Sequence, residues 1–344
     1  MFLRNAWYFA GFSEEIGQAL FERTLLGESI ALFRKRSGEA AAIANRCPHR
    51  FAPLTMGRLI DDRVQCAYHG IEFDAGGRCV HIPGSERIPE SACVRAYPLV
   101  EKWGCLWIWM GEIARADAGL LIDGFRYMTE TGWKPVWGLK EVEANYQLVI
   151  DNLMDLTHLP FLHPNTLGNL GNAAAAEAEA KTTVQGDTVA VKRVVLDCEP
   201  APMFTRVAKF EGRIDRHQYS IFVPPCFVLI ELQVMPAGTH DVARGIEWRV
   251  FHIVTPVTET RTRYHWAVTR HFAQDSETVS AAIAEATGAT LEEDRVMIEA
   301  QARMLEGTTL EARTLSTRFD AAPAQVRRII KKLIKADTTQ TTTA

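Results

Sequence analysis

Cys47-Pro-His-Arg-Phe-Ala-Pro-Leu-Thr-Met-Gly-Arg-Leu-Ile-Asp-Asp-Arg-Val-Gln-Cys-Ala-Tyr-His69 begins and ends in matching loops, Cys47-Pro48-His49 and Cys66-Ala67-Tyr68-His69, with sixteen residues between His49 and Cys66. Two Cys and two His so arranged bind metal, and the choice lies between zinc and a [2Fe–2S] cluster. Zinc spacings usually group Cys with Cys and His with His. Here each loop carries one of each, which suits a cluster with two different irons, Cys47 and Cys66 on one and His49 and His69 on the other. Around the loops, residues 1–110 hold short β-type runs: Ser29–Arg34, Ala41–Asn45, Arg63–Cys66, Ile71–Phe73 and Cys105–Met110. Glycine turns between them predict a small sandwich or barrel. Cys79, Cys93 and Cys105 lack ligand spacing and are expected in the core. His81 is expected at the surface or in packing, with a part in the cluster's surroundings as the alternative.

A second stretch runs Asn145-Tyr-Gln-Leu-Val-Ile-Asp-Asn-Leu-Met-Asp-Leu-Thr-His-Leu-Pro-Phe-Leu-His163. Its Asn152, Asp155 and His158 recur every third position, so on a helix they share one ascending face. Pro160 lacks a backbone donor and is expected to end or kink the helix just after His158, which lets His163 swing round beside it. Two imidazoles near a carboxylate begin a facial triad for Fe(II). Two buried core histidines are the alternative from this stretch alone.

The whole chain of 344 residues, 47% hydrophobic and 23% charged, reads as an ordinary globular protein long enough for two domains. A net charge of −4 gives no reason to expect nucleic-acid binding. Met1–Phe9 has no basic region followed by a long apolar core, so no signal peptide is expected. No run approaches the roughly 18 apolar residues of a spanning helix. Seven scattered cysteines argue against a disulfide framework and for the reducing cytoplasm. No Gly-x-Gly-x-x-Gly run follows a strand, so neither flavin nor nicotinamide is expected on this chain.

Between Gly111 and Pro135 the hydrophobic periodicity weakens, which predicts a linker over 113–135. Strands are expected at Val136–Val142, Thr188–Leu196, Ala208–Phe210, Tyr219–Phe222, Phe227–Val234, Glu247–Thr255 and Thr262–Thr269, forming an antiparallel sheet with helices on one side. Residues 167–181 offer no apolar face and are expected to be a flexible lid, with a short ordered helix as the alternative. Helical spacing returns at Ser276–Leu305, around the acids Glu292-Glu293-Asp294. Pro323–Ala336 is an amphipathic basic helix expected to close the domain, and 338–344 is expected to be a disordered tail.

The Cys-x-His, Cys-x-x-His pattern resembles the Rieske motif, and Asn152-x-x-Asp155-x-x-His158-x-x-x-x-His163 resembles the iron-binding motif of Rieske non-haem iron oxygenases. Arg4-Asn5-Ala6-Trp7-Tyr8, Cys47–Leu54 and Asp151–Leu156 are similar to the aromatic O-demethylase branch, typified by vanillate and dicamba demethylases. Pro160 departs from those relatives. The resemblance covers most of the chain and is strongest before residue 165. It implies an α+β protein: an all-β Rieske domain over 1–112, then a helix-grip catalytic domain over 136–337. It implies a [2Fe–2S] cluster on Cys47, His49, Cys66 and His69, and a mononuclear Fe(II) on His158, His163 and Asp294, with Glu293 as fallback. Dioxygen is then the co-substrate, and electrons come from NAD(P)H through a separate flavin and iron–sulfur reductase. The family is trimeric. In the homotrimer so implied, Asp155 bridges His158 to His69 of the neighbouring subunit, with Asn152 in support. The implied activity is O-demethylation or hydroxylation of a small aromatic, carboxylate-bearing substrate. Ring cis-dihydroxylation and simple electron transfer are the alternatives. His252 falls where the dicamba-type branch places a carboxylate-contacting histidine, and Asn145 and Phe161 are weaker pocket candidates.

Overall fold

The computed structural model describes residues 1–167, 178–208, 210, 212–239, 245–308 and 315–341. The chain divides into two compact units, Met1–Leu121 and Ile122–Ala344.

The first unit is built of short antiparallel strands, as its turn signals predict. They are β1 (Trp7–Phe12), β2 (Phe21–Leu25), β3 (Glu28–Arg34), β4 (Ala40–Ala44), β5 (Arg58–Ile60), β6 (Arg63–Gln65), β7 (Glu72–Phe73), β8 (Cys79–His81), β9 (Leu99–Lys102) and β10 (Cys105–Trp109). Three sheets result, ordered β1-β10-β9, β2-β3-β4 and β5-β6-β7-β8. Trp7 meets Trp109 and Phe9 meets Trp107 edge to face, at 5.4 and 6.0 Å between centroids. The thiols of Cys47 and Cys66 belong to a buried cluster with Phe33, Ile43, Val64 and Phe73. Cys79 and Cys105 are buried as expected, but Cys93 is exposed, held in an isolated bridge to Arg78. His81 is exposed at the end of β8.

The second unit is organised by a seven-stranded antiparallel sheet in the order β11-β17-β16-β15-β14-β13-β12. Its strands are β11 (Lys134–Val142), β12 (Ala180–Gln185), β13 (Thr188–Cys198), β14 (Ile214–Val223), β15 (Phe227–Pro236), β16 (Ile246–Pro256) and β17 (Thr262–Arg270). Two residues per pleat put alternate side chains on one face. The rows Gln218–Leu232–Trp248–Arg270, Ser220–Ile230–Val250–Val268 and Phe222–Val228–His252–Trp266 run across that face. Its helices are α1 (Tyr146–Met154), α2 (Leu159–Leu162), α3 (Pro202–Ala208), α4 (Glu277–Met304) and α5 (Ala321–Thr341). On α4, Ile283, Thr287, Leu291, Asp294 and Ile298 are buried at steps of three and four, the stripe of a helix docked along one side.

Several expectations need correcting. The 113–135 stretch, expected to be a linker, contains the division between the two units, and both its halves are packed. Its start folds back into the first unit, where Trp7 Nε1 donates to the Asp117 carbonyl at 2.7 Å. Its continuation anchors in the second unit through Phe125, 4.9 Å from the Phe251 ring. Ala208 ends a helix instead of starting a strand, because Met203, Phe204 and Val207 form a buried stripe at helical spacing. Of the expected lid 167–181, residues 168–177 lie outside the described residues, while Ala180 and Lys181 open the edge strand β12. The expected tail is helical as far as Thr341, since α5 continues past Ala336. There Thr338 and Thr339 donate their hydroxyls to the Ile334 and Lys335 carbonyls at 2.9 Å each. No helix among the described residues is long and apolar enough to cross a membrane.

Candidate metal centres and substrate pocket

The two Cys/His loops have the same backbone. Each Cys amide donates to the carbonyl five residues on (Ala52, Ile71), and each Cys carbonyl accepts from the amide four residues on (Phe51, Gly70), at 2.8–3.0 Å. That turn needs a left-handed residue at its fourth step: Gly70 has φ +70° and Phe51 +59°. A bulky Phe is unusual there, and the Arg46 guanidinium stacks 3.7 Å from its ring. Cys47 and Cys66 point inward and are buried, while His49 and His69 are exposed with ring centroids 4.5 Å apart. Burial pushes the Cys47 thiol up, and it is hydrogen-bonded to Cys66. Desolvation pulls His69 down, and the nearby His49 and Arg50 charges pull the same way. Two sulfurs inside and two imidazoles at the surface fit a cluster with one buried and one outward iron.

In the second unit the organising helix breaks earlier than expected. α1 stops at Met154, and Asp155 takes an extended conformation (φ −121°, ψ 101°). Its carboxylate then caps a new turn, accepting from the Thr157 amide at 3.0 Å and the Thr157 hydroxyl at 2.6 Å. Pro160 is not the breaker: it sits in the first turn of α2, where its missing donor costs nothing. The break brings the His158 and His163 rings to 5.2 Å, and α4 supplies Asp294 opposite them.

Hydrogen bonds fix the tautomer of each ring when it is neutral. His158 Nδ1 lies 2.5 Å from the Asp155 carbonyl and His163 Nδ1 2.7 Å from Glu293 Oε2. Both partners are acceptors, so in each neutral ring Nδ1 carries the proton and Nε2 the lone pair. Those lone pairs face Asp294 Oδ1 at 3.6 Å from His158 and 3.1 Å from His163. His163 Nε2 is buried and, among the described residues, has no hydrogen-bond partner while its proton sits on Nδ1. Three converging electron pairs repel unless a cation lies among them, and the ligand atoms all lie within 4.8 Å of one another. The donor set fits a ferrous ion with open positions.

The charges agree. Burial pulls His158 down. Burial also pulls His163 down, but the two carboxylates beside it, Asp294 and the hydrogen-bonded Glu293, more than reverse it. Burial pushes Asp294 up, and the adjacent His163 and His158 rings, once either is protonated, together with the Asn152 hydrogen bond, bring it below the usual carboxylate range. Asn152 donates to Asp294 Oδ1 at 2.9 Å.

Glu293, the fallback ligand, stands behind the triad. The same oxygen that orients His163 accepts from Thr166 Oγ1 at 2.9 Å. Asn145 is an N-cap, accepting from the Gln147 amide at 3.0 Å, and Phe161 is 63% exposed; neither lines the pocket described next. That pocket lies between one face of the sheet and α3 and α4, lined by Met203, Ile230, Trp248, Leu291, Arg216 and His252, among others. His252 Nδ1 meets the Tyr264 hydroxyl at 2.5 Å, and its Nε2 has no partner among the described residues. Arg216 of this pocket was not among the residues the sequence motifs singled out. A basic residue in the inward phase of a strand was the signal for it.

An all-β unit carrying paired Cys/His loops, followed by a helix-backed antiparallel sheet with a His/His/Asp triad, defines a Rieske non-haem iron oxygenase component. The comparisons narrow the class. The family model of the Rieske [2Fe-2S] domain matches residues 6–98, and that of the vanillate O-demethylase oxygenase C-terminal domain matches residues 142–336. The chain belongs to the vanillate O-demethylase oxygenase family. It is 37% identical over 343 residues to the iron-sulfur subunit of a toluene-4-sulfonate monooxygenase system from Comamonas testosteroni, covering 98% of each chain. It is 34% identical over 338 residues to the oxygenase component of dicamba O-demethylase from Stenotrophomonas maltophilia, covering 96% of this chain and 98% of the relative. The crystal structure of dicamba monooxygenase bound to dicamba superposes with a TM-score of 0.89 at 32% identity, over 98% of this chain and 99% of the other.

Proposed function

We propose that the chain is the terminal oxygenase of a two-component monooxygenase that O-demethylates or hydroxylates a small, negatively charged aromatic compound. The observation that carries this is the convergence of His158, His163 and Asp294 lone pairs beside a largely apolar pocket, one helical turn beyond Leu291. Cys47, His49, Cys66 and His69 would hold the cluster, and the triad would hold the mononuclear iron. Together these groups supply electron relay and dioxygen activation. The chain's own residues do the rest: Glu293 and the Asp155 carbonyl fix the histidine tautomers, Asn152 positions Asp294, and the apolar pocket walls exclude water and orient the ring.

A separate reductase drawing on NAD(P)H would supply electrons at the exposed histidines. A homotrimer would carry them from His69 of one subunit to His158 of the next through Asp155. Two observations support that bridge. His69 is exposed, and Asp155 lines a surface cleft with Arg193, Arg318 and Phe319. An Asp155→Asn protein that retains both metal sites should lose coupled turnover; full turnover would remove the bridge from the proposal. The oxygenase reading itself is tested by iron and acid-labile sulfide per chain. About three irons and two sulfides are expected, falling to about two irons with unchanged sulfide in His158→Ala. Zinc without sulfide would overturn it.

A further inference from the structure

We infer that Arg216 is the substrate's anion anchor, so that the pocket takes a single-ring aryl sulfonate or carboxylate with its charge against this guanidinium and its opposite end toward the triad. This rests on the terminal-oxygenase reading. Arg216 lies on β14 in the inward phase, and it lines the pocket with Gln218 of the same face. Its Nη1 donates to the Leu167 carbonyl at a long 3.3 Å, and the Phe204 ring lies 5.2 Å from its carbon centre. Among the described residues its buried Nε has no hydrogen-bond partner, and no carboxylate pairs with it. Arginines of the opposite face are treated otherwise: Arg249 pairs with Glu231 and Glu247, and Arg263 with Glu141.

A guanidinium held out of water without a counter-charge is costly for the fold, and an anionic ligand removes the cost. Burial pulls Arg216 down to about 10, so it remains a cation at neutral pH. His252 does not supply the charge, because burial holds its imidazole down at about 4. Along the strands, the Arg216 row is three two-residue steps from the His252 row, about 20 Å between backbones. Both side chains line the one pocket, so a ligand held at Arg216 extends along it toward the His252 row. The buried Trp248 Nε1 and Thr287 Oγ1 also lack partners and line the same space, which suits a ligand with several acceptor oxygens.

The test is calorimetric titration of the iron-loaded, oxidised protein, without reductase, using 4-methylbenzenesulfonate, 4-methylbenzoate and the neutral methyl 4-tolyl sulfone. Both anchor chemistries predict an anion bound about 10- to 100-fold more tightly than the sulfone, with the better anion naming the headgroup. Arg216→Gln should erase that margin while leaving sulfone affinity unchanged. Arg216→Lys should keep part of it, because a point charge replaces the fork, and it decides the matter if Arg216→Gln fails to fold. His252→Asn should leave the margin intact. The inference is overturned by equal anion and sulfone affinities in the wild type, by an undiminished margin in Arg216→Gln, by loss of the margin in His252→Asn instead, or by no anion binding at millimolar concentration. A single turnover of the chemically reduced protein with the bound anion separates the two readings. Binding without an oxygenated product would count against the oxygenase assignment and leave the anchor standing.

Discussion

Replacing Glu293 by Ala should weaken binding of the mononuclear iron and leave the cluster alone. Glu293 Oε2 receives the His163 Nδ1 proton at 2.7 Å and is itself held by Thr166 Oγ1 at 2.9 Å. Without this acceptor nothing fixes the tautomer of His163. The ring can then move its proton to Nε2, where it would donate to Asp294 Oδ1, 3.1 Å away, in place of a lone pair offered to the metal. A hydrogen bond to a charged acceptor is worth about 1.5–3 kcal/mol. Loss of such an orienting partner weakens metal binding about 10- to 100-fold, which is the same range. Glu293→Gln still offers a carbonyl oxygen and should lose less than about tenfold. Iron competition against a chelator measures the affinity, and acid-labile sulfide with the visible spectrum reports the cluster, whose loops lie in the other unit. The reasoning is refuted if Glu293→Ala holds the mononuclear iron as tightly as the wild type does.

Burial holds His252 at about 4 in the folded chain, whereas the unfolded imidazole titrates near 6.5. A depressed folded value favours the neutral ring. Its stability contribution, up to about 3 kcal/mol, is therefore complete above pH ~6.5 and is lost as pH falls toward ~4. The melting temperature should drop less between pH 7 and pH 5 in His252→Asn than in the wild type; parallel profiles would contradict this. Arg327 Nη1 contacts Asp151 Oδ2 at 2.5 Å with both side chains largely buried, joining α5 to α1. Arg327→Ala should cost about 3 kcal/mol in a denaturation assay, mostly recovered in Asp151→Leu/Arg327→Met; a neutral single variant would show the pair to be incidental. At Gly57 a Cβ would lie 1.9 Å from the Gln65 carbonyl oxygen, immediately before Cys66. Gly57→Ala should bleach the cluster absorbance while the second unit keeps its iron, and an unchanged spectrum would show that the loop can yield.

The break at Asp155 illustrates how local chemistry can mislead a reading by periodicity. Every-third spacing of Asn152, Asp155 and His158 invited one continuous helical face, with Pro160 as its obvious end. The carboxylate of Asp155 competes with the helix by capping Thr157, and a capping side chain stops a helix as surely as a proline does. The consequence is useful to the site. His158 and His163 belong to separate short turns, so both rings face α4 although a straight helix would point them apart.

What the sequence by itself determined was whatever depends on close spacing. The Cys47/His49 and Cys66/His69 loops are each closed by bonds spanning four or five residues, so their donor pairs follow from local chain geometry. His158 and His163 likewise come from one short segment. Strand phase was legible too, because alternation with period two marks a half-buried sheet wherever it sits. The third ligand was not settled locally: Glu292, Glu293 and Asp294 are adjacent acids with equal chemistry. Asp294 alone keeps phase with Ile283, Leu291 and Ile298, and it reaches the triad only because α4 docks with that stripe inward, 142 residues from its partner Asn152. The role of Glu293 behind His163 and the unpaired state of Arg216 are facts about what approaches from distant strands and helices. Tertiary structure alone decided them, since a charge is paired or stranded by its neighbours in space and not by those in sequence.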